Sequence, residues 1–586
     1  MDIYTTTIGL SLVVYIVVGN YAGHGIRRLD DYYVAGRRAP TFLIVGTLVA
    51  SLMSSVVFLG EAGFAYAGQV GPYVLFPQIA CAGYVIGAIF FGRYLRRSRA
   101  RTVAAFFGER FASRRVQAMA GATIVLALGG YLMAVTQGAA ILLSELTPLT
   151  YAPAVIVAWL SYTIFTIYSG SRGVMLTDTL MFLVFSLASL AAIVYLIAAF
   201  GGPVQAVEDL VGIDGKPGLM SWHGVIGAGT DWPTARDYLT WGLAIDASWL
   251  LVYAVSPWQS SRHLMARNEH VVLRAACIAC VVTALLQVMI YGMGGLVNLG
   301  NPDIVPQESA VIWASLNLLP PALGALLLAG IMAAALSSAS TFLSLVGFSA
   351  TNDLGIHDAD DDARTLRFSR WLMLAVGCLA LAATLVFPPD IFWLMIFIGT
   401  VFASSWGPVA FMSIWSRRIT ESGAFWGMLA GLVFNVGPKF LEFIGLFDFP
   451  YWLDPVIIGV VSSCVVTYLV SSRGRVSREE ADYLTRLHQT PVDDVSDREA
   501  RVSMRAASLL VFLGLSMPFV LLRWYVRPYQ SATGTLAADG SLDLLTGEAL
   551  LAMSWGVVYV FVGWLAARVI RRDYVPLPQA RSPRLS

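Results

Sequence analysis

The sequence predicts an all-α polytopic membrane protein with about fifteen transmembrane helices. Uncharged apolar runs of roughly 20 residues recur along the 586-residue chain, each long enough for a helix to cross about 30 Å of hydrocarbon. Only 13% of the residues are charged and 57% are hydrophobic, with a mean hydropathy of +0.70, whereas a soluble chain is about one quarter charged. The formal net charge is +1, and no water-facing segment interleaves basic and aromatic residues. This composition leaves no electrostatic footprint for nucleic acid.

Taken in order, the pattern predicts a leading helix over 4–23. Ten more follow over 41–68, 73–96, 117–146, 151–170, 174–200, 238–257, 273–298, 322–348, 368–387 and 390–415, and four over 423–445, 450–471, 505–524 and 548–570. The start, MDIYTTT, lacks a basic n-region, so the first run reads as a retained helix rather than a cleaved signal. Short connections on one side carry Arg27, Arg28, Arg37 and Arg38, then Arg93, Arg96, Arg97, Arg99 and Arg101, then Arg172. Further along they carry Arg262, Arg267, Arg364, Arg367, Arg417, Arg418, Arg571 and Arg572. The opposite connections, near 147–152, 299–321, 387–390 and 446–452, have no Lys or Arg. The bias sets the arginine side in the cytoplasm of an inner (plasma) membrane, with the N-terminus outside and the C-terminus inside.

The ten helices between 41 and 415 divide into two groups of five that start from opposite sides. The expected organisation is a leading helix and loop (1–40), a first five-helix repeat (41–200), an outer loop (201–237) and a second repeat (238–415). Two accessory helices (416–471), a charged cytoplasmic segment (472–504) and two C-terminal helices with a tail (505–586) complete it. The acidic run Asp358, Asp360, Asp361 and Asp362 reads as a solvated connector, and 472–504 as an amphipathic surface segment.

One run organises the rest. AGIMAAALSSASTFLSLVGFSATND carries no charge before Asp353, yet holds Ser337, Ser338, Ser340, Thr341 and Ser344. A hydroxyl in hydrocarbon needs a partner. That partner is either the carbonyl one turn back or a small hard cation, for which Ser337, Ser338 and the Ala334 carbonyl offer three neutral oxygens. The first helix of each group is also unusual. The run 41–68 contains Ser51, Ser54, Ser55, Gly60, Gly63 and Glu61, and the run 238–257 contains Asp246 and ends at Pro257. Small residues, a charge and Gly or Pro at matching places in two halves point to discontinuous helices around a midplane site, the alternative being close helix packing.

Glu61 and Asp246 each read as a ligand for a second cation, a proton carrier or a partner for a substrate amine. For Glu61, near an outer helix end, a solvated interfacial position is the competing expectation. Lys439 and Glu442, three residues apart, read as a structural pair. The five cysteines (Cys81, Cys277, Cys280, Cys378, Cys464) fall in apolar runs and read as packing residues.

Several ordered segments resemble the sodium:solute symporter family: DDYYVAGRRAP at 30–40, YSGSRGVMLTDTLMF at 168–182, SRHLMARNEH at 261–270, AAALSSASTFLSLVGFSATND, and GPVAFMSIWSRRITESGAFWGMLAG at 407–431. The resemblance covers roughly 25–435. It implies a five-plus-five inverted-repeat transporter core and Na+ coupling. It also implies sodium ligands at the carbonyls of Ala50, Met53 and Ala334 and the hydroxyls of Ser337 and Ser338. Asp178 is similar to the family's acid near the ion's inward exit path; an interfacial pair with nearby Arg172 is the other reading. At positions where sugar-transporting relatives are polar, this chain has Val57, Phe76 and Trp249. The pocket so sketched, with Phe58, Trp241, Asp246 and Tyr253 and the hydroxyls of Ser54 and Ser55, is too apolar for a sugar.

The resulting expectation is a sodium-coupled symporter importing a small solute, a monocarboxylate or amino acid before a sugar, by alternating access. Its partners are the solute, sodium and the lipid bilayer. A membrane sensor acting through a cytoplasmic partner at 472–504 is the alternative, and no motif supports an enzyme.

Overall fold

The computed structural model describes residues 2–24, 28–355 and 362–575; Arg27, Asp358, Asp360 and Asp361 lie outside them. Among the described residues the architecture is all-helical, and its one isolated bridge pairs Ala39 with Ala266. Thirteen helices are long and apolar enough to span a membrane, or up to fourteen when one bent pair counts as a span, and a shorter apolar helix covers Tyr151–Ile164.

The first half contains α1 (Ile3–Gly23), α2 (Thr41–Leu52), α3 (Val56–Leu75), α4 (Pro77–Ser98), α5 (Arg114–Leu146) and α6 (Tyr151–Ala199). The second contains α7 (Ala235–Val255), α8 (Pro257–Met265), α9 (Glu269–Val297), α10 (Pro321–Asn352), α11 (Asp362–Val386), α12 (Ile391–Ser405) and α13 (Gly407–Trp415). Four more follow: α14 (Glu421–Phe443), α15 (Pro455–Arg473), α16 (Asp497–Leu521) and α17 (Gly547–Tyr574).

Local chemistry sets the boundaries. Pro77, Pro257, Pro321 and Pro455 open helices, where a missing N–H costs nothing. Thr234 and Asp237 form a reciprocal capping box at the start of α7. The 49 residues of α6 would run roughly 74 Å if straight, about two and a half times the hydrocarbon core. Gly170, at φ 50° and ψ −157°, breaks them; Tyr32 packs so closely there that a Cβ would lie 2.4 Å from its ring.

Several boundaries differ from the sequence expectation. The run 41–68 is two helices, α2 and α3, bent by 53°. The run 238–257 is interrupted at Ser256 (ψ 147°) and continues as α8. The stretch SRHLMARNEH, expected as a cytoplasmic connection, is therefore partly a buried helix, and Arg262 lies inside the protein rather than in a loop. Arg93 is likewise buried. Both long arginines find acids inside, Asp178 and Asp573, which hydropathy does not foresee. Cys81, Cys277 and Cys280 are buried as expected, but Cys378 is exposed on the outer face of α11.

The last two helices dock on the face formed by α4 and α9. The Trp555 indole N–H donates to the Leu75 carbonyl at 3.0 Å, Gln78 donates to Ser554 at 2.8 Å, and Arg274 pairs with Glu499 at 2.5 Å. Segment 472–504 is not simply a solvated connector. Its capped helix Arg478–Leu487 buries Glu480, which accepts from the Glu421 amide at 2.9 Å, and Arg97 donates to the Leu487 carbonyl at 2.7 Å.

At the centre, α2 lies against α6 at Gly46, where an added Cβ would meet Thr179 at 2.6 Å. The turn carrying Thr47 thereby lies beside the turn carrying Asp178. A Gly46→Leu variant should lose about 1–3 kcal/mol from overpacking, read as a lowered thermal midpoint of the detergent-solubilised protein. An unchanged midpoint would show that the contact is not tight.

Candidate functional site

The break after Leu52 builds the first part of the site. The last carbonyls of a helix lack an amide one turn on, and at the end of α2 they point toward α10. The Ser338 hydroxyl lies 3.5 Å from the Ala50 carbonyl oxygen and 3.4 Å from that of Ser51. Those are long for O–H···O hydrogen bonds, which cluster near 2.7–2.8 Å. They match adjacent ligands around a hard cation, which lie about 3.4 Å apart when each is roughly 2.3–2.6 Å from the ion. Ala50, Met53, Ala334, Ser337 and Ser338 are all completely or almost completely buried. Met53 is the residue that caps the broken helix, at φ −70° and ψ 86°.

Beside this cluster sits a buried ionic knot. Asp178 of α6 accepts from Thr47 (2.6 Å), Ser337 (2.7 Å) and Arg262 (3.3 Å), and Arg262 also donates to Thr341 at 2.5 Å. The side chains of Arg262 and Asp178 are 2% and 0% exposed. Sequence reasoning set Asp178 near Arg172 at a helix end; Arg172 is exposed, and the partner is Arg262 from the interrupted second-half helix. Ser337, expected to offer a neutral oxygen, gives its proton to a carboxylate. Thr341 stood among the hydroxyls singled out in the sequence, without this partner; Thr47 was missed. Only the crossing of α2, α6 and α10 brings them together.

The second part is a cavity of about 80 Å3 lined by α3, α4, α7, α9 and α12, room for several water-sized groups at roughly 10–15 Å3 each. Val57, Phe76, Trp241, Asp246, Trp249 and Tyr253 line it, as expected. Ser54, Ser55 and Phe58 do not. The Ser54 hydroxyl accepts from the Val56 amide, Ser55 donates to the Val135 carbonyl at 3.2 Å, and Phe58 packs edge-on against Phe185. Their side chains hold the break in shape instead of facing solute. Glu61, weighed as a solvated outer-end residue, lines the cavity and accepts from the Tyr291 hydroxyl. Gln287, which sequence reasoning did not single out, donates to Tyr291 at 2.9 Å and to Tyr253 at 3.1 Å. Trp241 continues the wall into an aromatic cluster with Trp232 of the long loop, 4.8 Å away, and Phe64, itself stacked on Phe392 at 4.2 Å.

A broken apolar helix, freed carbonyls facing a hydroxyl across it and a small cavity alongside are the features of a cation-coupled membrane transporter. The sodium:solute symporter family model matches residues 32–431, and the chain belongs to that family, whose members couple solute uptake to sodium. It is 24% identical to a sodium/pantothenate symporter of Escherichia coli over 497 residues, 81% of this chain and 98% of that one. It is 25% identical to a sodium/proline symporter of Haemophilus influenzae, over 71% of this chain and 84% of that one. Among solved structures, a substrate-bound, outward-open Na+-coupled sialic acid symporter matches with a TM-score of 0.68 at 16% identity, covering 82% of this chain and 99% of that one.

Removing one member of a buried ion pair strands the other and costs about 3–5 kcal/mol. Arg262→Met should therefore destabilise the protein strongly, and Asp178→Leu with Arg262→Met should recover most of that loss. Thermal denaturation of the two variants in detergent checks this. A double variant no more stable than the single one would show that the pair is not the dominant partner.

Proposed function

We propose that sodium is bound between the broken helix α2 and α10, by the carbonyls of Ala50, Met53 and Ala334 and the hydroxyls of Ser337 and Ser338. The solute occupies the neighbouring cavity. The observation that carries this reading is the Ser338 hydroxyl set 3.4–3.5 Å from the Ala50 and Ser51 carbonyls. Neutral oxygens bind a monovalent ion without the grip of a carboxylate, so release remains fast. Asp178, one hydrogen bond from Ser337, offers the departing ion a charged foothold once Arg262 turns away. Each sodium that enters brings about 2.3 kcal/mol per 100 mV of membrane potential. Coupling requires sodium and solute to strengthen each other's binding reciprocally. Val57 and Leu52, lining the cavity, flank the residues of the break, so one rearrangement of that break moves both sites.

The cavity bears on the solute. Of the two classes favoured from sequence, a monocarboxylate would meet Glu61 and Asp246 as like charges, whereas an amine-bearing solute such as an amino acid would be attracted. A sugar, being neutral, would leave both carboxylates without a counter-charge. The arginine bias favours an inner-membrane protein with its N-terminus outside, and the two groups of five helices would then exchange access around the shared site.

Solute uptake into proteoliposomes should rise with an imposed sodium gradient, and Ser337→Ala with Ser338→Ala should raise the sodium concentration for half-maximal uptake at least about tenfold, the equivalent of ~1.4 kcal/mol. An unchanged sodium dependence in the double variant removes the site assignment. For orientation, an Asp2→Cys variant should react with an impermeant thiol reagent in intact cells; protection until lysis reverses the topology.

A further inference from the structure

The cavity's charge says more about its occupant than its size does. Among the described lining residues are two acids, Glu61 and Asp246, and no Lys, Arg or His. Glu61 is held by the Tyr291 hydroxyl, which Gln287 braces in turn. That donor engages one oxygen of the carboxylate, and the other has no hydrogen-bond partner among the described residues. Asp246 has no hydrogen-bond or ion-pair partner among the described residues. A partly buried carboxylate in a membrane-spanning segment without a counter-charge is costly, and two lining one cavity compound that cost.

The remaining wall is aromatic. Tyr73, Trp241, Trp249 and Tyr253 come from two helices that cross beside the acids. Aromatic faces attract an organic cation through their quadrupole, best when it is desolvated. They offer little to an alkali ion, which needs several oxygens at short range.

We infer that the transported solute is a small organic ammonium cation whose charge is held by Glu61 and Asp246 against the aromatic wall. This rests on the symport reading above and narrows its solute class. It also implies that each cycle carries at least two positive charges inward, one on sodium and one on the solute, so import is driven twice by the membrane potential.

The test uses the full-length protein in proteoliposomes under an inward sodium gradient. Four probes of one carbon shape are compared: 2-hydroxyethyl-trimethylammonium, 3,3-dimethylbutylamine, 3,3-dimethylbutanol and 3,3-dimethylbutanoate. The readout is probe-stimulated entry of radioactive sodium. The two cations should stimulate entry at least about tenfold more than the neutral alcohol, a preference of ~1.4 kcal/mol, and the carboxylate should not stimulate it. In Glu61→Gln and in Asp246→Asn that preference should collapse, while sodium still protects both variants against heat, which shows that they are folded and bind the ion. Equal or greater stimulation by the alcohol or the carboxylate overturns the inference. So does sodium-driven uptake of a neutral or anionic metabolite from a broader panel when both cations are inert; in either case sodium coupling itself stands. Absence of sodium-driven uptake for every compound overturns the symport reading and this inference with it.

Discussion

The structure depends on backbone carbonyls set free in the middle of a membrane. Hydrocarbon offers no water to a polar group, so an interrupted helix survives there only where something else satisfies its open end. Here α2 stops at Leu52, Met53 leaves helical geometry, and the Ala50 and Ser51 carbonyls face the Ser338 hydroxyl. One hydroxyl cannot fully satisfy two carbonyls, and the remaining demand is for positive charge. A cation bound there, as proposed, would be part of what holds this region together. An ion that completes the break also fixes the angle between α2 and α3, and α3 carries Val57 and Glu61 into the solute cavity.

The Asp178–Arg262 pair gives that arrangement a second partner. Thr47, Asp178, Arg262, Ser337 and Thr341 tie α2, α6, α8 and α10 into one polar knot. Both interrupted helices of the two halves contribute to it, α2 through Thr47 and α8 through Arg262. Motion at either interruption must reorganise the knot, which lies beside the proposed ion site. Outside it, α16 and α17 clasp α4 and α9 through Trp555, Gln78 and Arg274 and brace the cavity wall from behind.

Much of this was legible in the sequence. Apolar run length gave the helices, and hydroxyls in an uncharged run singled out α10. Pro257 and the small residues near Ser54 marked both interruptions. Three positions matched to the substrate positions of sugar-transporting relatives, Val57, Phe76 and Trp249, all line the cavity. What stayed hidden was side-chain direction and pairing at long range. Ser54 and Ser55 carry the right chemistry but spend it on the Val56 amide and the Val135 carbonyl. Arg262 looked like one more loop arginine, because hydropathy cannot tell a charge in water from a charge buried against an acid 84 residues away. Glu61 looked interfacial for the same reason: its partner Tyr291 lies 230 residues further on.

The most direct measurement is the position of the ion itself. Crystals or vitrified particles of the protein with thallium(I) in place of sodium would locate the site by anomalous or difference density. The account predicts a peak between the Ala50 carbonyl and the Ser338 hydroxyl, about 2.5–3 Å from each oxygen, the spacing of a hard-cation ligand set enlarged for the heavier ion. A peak elsewhere, with none between α2 and α10, would contradict it.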